Sequence, residues 1–245
     1  AIGDSALATQ NFTTATNANN TAVGYFAGTA LTTGINNVFI GMGAGDAQTT
    51  ANQNVAIGKD SMTSNAAGAK NVAIGTAAMA NFNTTTADTL NTCVGDHAGA
   101  SLTTGVENTL IGGIAGDALT DADHNVAVGS YALTGDTLGS RSVAVGHGTL
   151  TSQNFTTATN AYNVAMGYIA GNAITTGTEN TLIGSQAGPV LTTGTTNVAL
   201  GSQALKVDTK GNNSIAIGYG ALKTQNFTTS TSTGNIAIGY DAGLS

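Results

Sequence analysis

The chain has 245 residues, with 13 acidic against 6 basic side chains and a net charge of −7 at neutral pH. That balance opposes binding to nucleic acid or to an anionic membrane surface. Charged residues make up only 8%, tryptophan is absent, proline occurs once, and no apolar run approaches the roughly eighteen residues a spanning helix needs. The single cysteine, Cys93, excludes an intrachain disulfide.

The predicted elements are copies of one unit. A motif, Asn-(β-branched)-Ala-Ile-Gly or a close variant, closes on Gly3, Gly24, Gly41, Gly58, Gly75, Gly95, Gly112, Gly129, Gly146, Gly167, Gly184, Gly201, Gly218 and Gly239. The spacing is 17 residues, lengthened to 20 or 21 at every fourth step, so blocks run 3–75, 75–146, 146–218 and, in part, 218–245. A fixed short period along a whole chain predicts a solenoid in which each coil stacks on its neighbours. The expectation is an all-β, parallel β-solenoid of about 14 coils, one segment over 1–245 without a linker. At ~4.8 Å per coil it makes a rod on the order of 60 Å long. The chain opens inside the motif and stops soon after Gly239, without atypical capping repeats, so a segment cut at both ends from a longer fibrous protein is expected, with any targeting signal or anchor outside it.

Within one coil, counted from its glycine, position −4 is Asn or, at Ser142 and Ser214, Ser; −3 is Val, Ile or Thr; −1 is Ile, Val, Leu or Met. Alternating β-branched residues predict a short strand, which the glycine then ends at a corner. Position +4 is either glycine or large and apolar. Where it is glycine, +7 is usually aliphatic (Leu31, Leu102, Leu119, Ile174, Leu191), with Gln48 the exception; where it is large in a 17-residue coil, +7 is polar (Asn65, Asp136, Asp208). Such compensation is what a core packed to uniform density requires.

If −3 and −1 point inward, −2 points outward. Position −2 is apolar in every coil, mostly alanine, with Phe39, Cys93, Leu110 and Leu182 larger. An outward apolar stripe of that length is expected to be buried against another chain, making Phe39, Leu110, Leu182 and Cys93 candidate interface residues. The opposite assignment leaves the −3 and −1 rows outside and needs a partner even more.

Asn54–Gly58, Asn71–Gly75 with Ala78, and Ser214–Gly218 with Ala221 resemble the head repeats of YadA-type trimeric autotransporter adhesins. Asn180–Gly194, and partly Asn108–Gly116, are similar to repeats of viral and phage tail-fibre proteins. The resemblance covers the whole chain and implies a left-handed β-roll, a homotrimeric bundle and attachment at a cell surface or virion. The coil here is longer than the autotransporter head coil, and the lengthened fourth coil is not part of that pattern.

Residues able to do chemistry do not converge. His97, His124 and His147 fall at different coil positions, and no Ser-His-Asp or His–carboxylate spacing is present. Asp121 and Asp123 beside His124 read as a solvated corner, Cys93 as a small packed residue, and Gly41–Gly43 as a corner outside any βαβ unit. No catalytic, cofactor or metal site is expected. The −4 asparagines are expected to form stacked amide ladders.

The lengthened coils carry Phe12, Phe82, Phe155 and Phe227, each flanked by amides and hydroxyls. They suit lateral contact with a sugar or protein, or bracing against a neighbouring chain. Asn11, Asn83, Asn154 and Asn226 head Asn-x-Ser/Thr sequons there, as do Asn19 and Asn212 elsewhere, and are candidate glycosylation sites in a host with that machinery. The expected function is a non-enzymatic, structural or adhesive fibre segment, extracellular and homotrimeric, meeting a host-surface glycan or protein, with no nucleic acid and no membrane insertion by this segment. The alternatives are a surface-binding module with a regular face, for ice or carbohydrate, and a polysaccharide-cleaving β-helix, which needs a carboxylate cluster on one face.

Overall fold

A computed structural model of the chain describes residues 1–85 and 88–244. It divides into two compact units, Ala1–Asp123 and His124–Ser245, each a parallel β-solenoid, and no helix occurs among the described residues. The first unit stacks β1 (Thr21–Val23), β2 (Val38–Ile40), β3 (Val55–Ile57), β4 (Val72–Ile74), β5 (Thr92–Val94) and β6 (Thr109–Ile111). Each pairs parallel with the next in strict register, as in Ala22↔Phe39, Phe39↔Ala56 and Ala73↔Cys93.

The second unit stacks β7 (Val126–Val128), β9 (Val143–Val145), β11 (Val164–Met166), β12 (Thr181–Ile183), β13 (Val198–Leu200), β15 (Ile215–Ile217) and β17 (Ile236–Ile238) in the same way. Two short pairs lie outside this sheet: β8 (Gly139–Ser140) with β10 (Thr159–Asn160), and β14 (Gly211–Asn212) with β16 (Thr231–Ser232).

The motif glycines stack in a column within each unit. A Cβ at Gly184 would lie 2.6 Å from the Gly201 carbonyl, and the glycine has φ +134°, so both the backbone angle and the close approach exclude a side chain. Other corners are turned by residues that are not glycine. Asn36, Glu107 and Thr196, one position before the −4 site, have φ of 59°, 57° and 59°. Each left-handed residue costs about 1–2 kcal/mol. It is held because its N–H donates to the preceding coil: Asn36 to Ala18 O at 2.8 Å, Glu107 to Thr89 O at 2.8 Å, Thr196 to Thr178 O at 3.0 Å.

The strand faces are opposite to the first assignment above. Position −2 points inward: Phe39, Cys93, Leu110 and Leu182 are fully buried inside single coils and are not on an interface. The −3 and −1 rows face outward, with Ile40, Met166 and Leu200 37%, 40% and 42% exposed. The reason is the −4 asparagine. It shares a face with −2, and its amide finds partners only inside the coil, so −2 follows it inward.

This completes the volume compensation. Met62, Met79, Leu133, Leu150 and Leu205 at +4, and Leu31, Leu102, Leu119, Ile174 and Leu191 at +7, are all buried. Where +4 is glycine in two successive coils, the −2 residue between them is the large one. A Cβ at Gly28 or Gly45 would lie 2.6 and 2.7 Å from the Phe39 ring, and Gly99 and Gly116 flank Leu110 at 2.9 and 2.8 Å. Space left by two glycines admits one large side chain, which is how a narrow interior is kept dense.

Candidate functional surface

The −4 asparagines form buried ladders. In the first unit Asn54 N–H donates to Asn37 Oδ1 at 2.9 Å and Asn71 N–H to Asn54 Oδ1 at 2.8 Å. Each amide also donates across the coil, Asn37 to Ala51 O and Asn54 to Gly68 O. The second unit repeats this through Asn163, Asn180 and Asn197. From Asn37 to Asn125 and from Asn163 to Asn197 the side chains are out of contact with water, and the amides of these ladders are bonded to one another and to the backbone, so this part of the row offers no ligand site. At its ends, Asn20 is partly exposed and Asn235 exposed. Gln48, the exception at +7, joins the ladder: its Oε1 accepts from Asn54 Nδ2 at 3.0 Å, and its own amide donates to the Met62 sulfur.

Two polar networks replace the ladder at Ser142 and Ser214. Asp136 is buried, and its Oδ1 accepts from Gly139 N–H (3.1 Å) and Phe155 N–H (3.0 Å), while Oδ2 accepts from Gln153 Nε2 (2.5 Å). The same Gln153 amide donates to Ser142 Oγ at 3.0 Å, and its Oε1 accepts from Asn163 Nδ2 at 2.9 Å. Asp208, Gln225, Ser214 and Asn235 repeat every one of these contacts. Serine stands at −4 there because the glutamine of the same coil has taken the place of the asparagine amide. At the corresponding place in the first unit Asn65 substitutes for the aspartate, and Phe82 occupies +7 where Gln153 and Gln225 stand.

Two of the phenylalanines of these coils turn inward. Phe82 is fully buried, Phe155 nearly so, and Phe12 and Phe227 are half-buried. A Cβ on Gly139 would meet the Phe155 ring at 2.7 Å, and one on Gly68 would meet Phe82 at 2.8 Å. Phe82 and Phe155 are therefore core residues of their own coils, neither lateral contacts nor braces against another chain. Phe155→Ala is expected to lower stability by about 3–5 kcal/mol through the cavity it leaves; urea unfolding measures this, and an unchanged midpoint would contradict the inward placement. The sequon residues Asn11, Asn83, Asn154 and Asn226 are exposed, while Asn154 and Asn226 Oδ1 accept from Thr137 and Thr209.

The remaining chemical groups stay apart. His97 pairs with Asp96 at 3.0 Å on an exposed corner, and among the described residues no three His, Cys, Asp or Glu side chains are grouped to hold a metal ion. Asp121 accepts from Thr104 Oγ1 and Asp123 from Val106 N–H at 2.8 Å, so this acidic pair serves corner geometry. Burial pushes the Cys93 thiol far above its ordinary pKa, which leaves it un-ionised and unreactive. Threonines at the corners donate to the next coil, Thr32 to Thr49 O at 3.0 Å, Thr103 to Thr120 O at 3.1 Å and Thr192 to Thr209 O at 2.9 Å.

Two surface features remain. One is the outward sheet face of each unit, apolar at −1 in every coil. The other is a set of exposed rings just past the strand, at +1 and +2: Tyr25 against Phe26 in the first unit, and Tyr131, His147 and Tyr168, then Tyr219 and Tyr240, in the second. Sequence reasoning passed over these tyrosines because they follow the glycine, outside the repeated motif. Comparison with family models, with curated proteins and with solved structures finds no match to this chain.

Proposed function

We propose that the chain is a non-enzymatic structural and adhesive segment of an extracellular attachment fibre, three copies packed side by side on the outward −3/−1 sheet face, with the lengthened coils recurring at every fourth level. The observation that carries this reading is the outward sheet itself. In-register parallel strands present Val, Ile, Leu or Met at −1 on every coil, half exposed, with Val, Ile or Thr beside them at −3. A contiguous apolar face of this extent is rare on a soluble monomer and marks an interaction site. The interior is closed by ladders and dense packing, so the outer face is where a partner fits.

The carbohydrate-binding alternative is favoured over ice binding by one observation. The corner threonines direct their hydroxyls into inter-coil hydrogen bonds, which removes them from a regular outward array, whereas aromatic rings stand exposed. The polysaccharide-cleaving alternative has little support, since Asp136 and Asp208 lie inside saturated networks.

Sedimentation equilibrium tests the association. The wild-type chain is expected at three times the monomer mass. Met166→Glu with Leu200→Glu places charges on the outward face without touching the core, and is expected to give a folded monomer. Each charge desolvated at such a contact costs several kcal/mol. A wild type that sediments as a monomer, or a double variant that still forms the trimer, would overturn the arrangement.

A further inference from the structure

The exposed rings of the second unit are not demanded by the fold. Inter-coil hydrogen bonds fix the register there: Gly148 N–H donates to Ser130 O, Ile169 N–H to His147 O and Gln186 N–H to Tyr168 O. Position +1 therefore reads Ser130, His147, Tyr168, Ser185 and Ser202 in successive coils. Serine closes the same corner as well as a ring does, so the rings need another explanation.

Their arrangement is that of a platform. His147 and Tyr168 stack at 5.8 Å between centroids, 23° from parallel, and Tyr131 meets His147 edge-on at 5.8 Å. Stacking stiffens the row without hiding it: Tyr131 remains 46% exposed and Tyr168 54%. Beyond Tyr168 the next coil offers only Ser185 in the same column, so that side of the ring is not capped by a large residue. The pair recurs 72 residues later as Tyr219 and Tyr240, stacked at 5.3 Å and 12°. Both pairs straddle a lengthened coil.

We propose that Tyr131, His147 and Tyr168, repeated in part by Tyr219 and Tyr240, bind a neutral oligosaccharide, with a pyranose face stacked on the uncapped side of Tyr168 and neighbouring sugar units lying along the exposed edges of the other rings. In the column of His147 and Tyr168 the flanking residues are the uncharged Ser130 and Ser185, while Lys223 Nζ lies 5.8 Å from the Tyr219 ring. Exposed rings beside hydroxyls match the alternating apolar faces and hydroxyl edges of a sugar. The chain's net charge of −7 disfavours acidic glycans. Repetition at four-coil intervals, about 19 Å at ~4.8 Å per coil, makes several weak contacts act together. The inference gives the attachment reading a ligand class and rests on it, but not on the association of chains.

The test uses the whole chain and three probes, cellohexaose, maltohexaose and chitohexaose, titrated against intrinsic fluorescence. With six tyrosines and no tryptophan, the signal comes from tyrosine alone. The wild type is expected to bind at least one hexaose. His147→Ser with Tyr168→Ser, which copies the serine of neighbouring coils, is expected to weaken it by roughly tenfold, and Tyr168→Phe to retain it. The proposal is overturned if no hexaose binds, or if the serine variant binds as the wild type does. It also fails if the serine variant loses its association instead: the rings are then part of the contact between chains, and the association reading stands without this one. Hexaose binding retained in a monomeric Met166→Glu, Leu200→Glu variant would support the platform while removing the trimer.

Discussion

Asp136→Ala is expected to destabilise the second unit by about 3–5 kcal/mol. The substitution leaves the buried N–H groups of Gly139 and Phe155 and the Gln153 amide without their acceptor, and each unsatisfied buried group costs roughly 1–3 kcal/mol. Asp136→Asn separates shape from chemistry. It keeps an oxygen for the two backbone donors but sets an NH2 against the Gln153 NH2, so a smaller loss of about 1–3 kcal/mol is expected. Adding Gln153→Glu supplies an acceptor for that NH2 and should recover most of the loss. Urea midpoints of the three variants measure this. An alanine variant that unfolds with the wild type would mean the network contributes nothing. Asn65, in a block whose next coil has no glutamine at +7, is the chain's own version of the neutral solution.

Gly184→Ala is expected to cost on the order of 4 kcal/mol or more, the sum of backbone strain and a main-chain collision. Its Cβ would sit 2.6 Å from both the carbonyl carbon and oxygen of Gly201, and 3.0 Å from Ser202 N. None of these atoms is at the end of a side chain that can move away. The next coil must shift, and every coil stacked on it shifts too, because stability in such arrays passes between nearest neighbours. Gly234→Ala is the matched control: φ is +59° and nothing lies within 4 Å, so only the left-handed strain of about 1–2 kcal/mol is expected. Equal unfolding midpoints for the two variants would show that the glycine column is not close-packed.

The division between what could be read in advance and what could not follows from locality. Strand, corner, parallel register, glycine column and asparagine ladder were legible, because each is a short-range rule repeated at a fixed period, and repetition turns a weak local preference into a row. Asn54 bonding to Asn37 and Asn71 follows from identical residues one coil apart. Which face points inward was not settled by period two alone, since −2 and −1 are apolar in every coil and −3 is Val, Ile or Thr. A signal was nevertheless present. Asn at −4 and Ala at −2 share a face, so a buried ladder requires Phe39, Leu110 and Leu182 to be buried as well.

The lengthened coils show the same limit from another side. Polar neighbours made Phe155 look like a surface residue. The group that draws it inward is Asp136, 19 residues earlier and adjacent only once the coils stack. The serines at 142 and 214, exceptions in the asparagine row, were visible without a reason until Gln153 and Gln225 were found bonded to them. By itself the sequence determined the architecture, because a solenoid is specified by what recurs. Only the tertiary structure decided which rows are interior, where the buried carboxylates sit and which rings reach solvent. Those outcomes depend on volume and hydrogen-bond partners supplied by adjacent coils, which no single repeat contains.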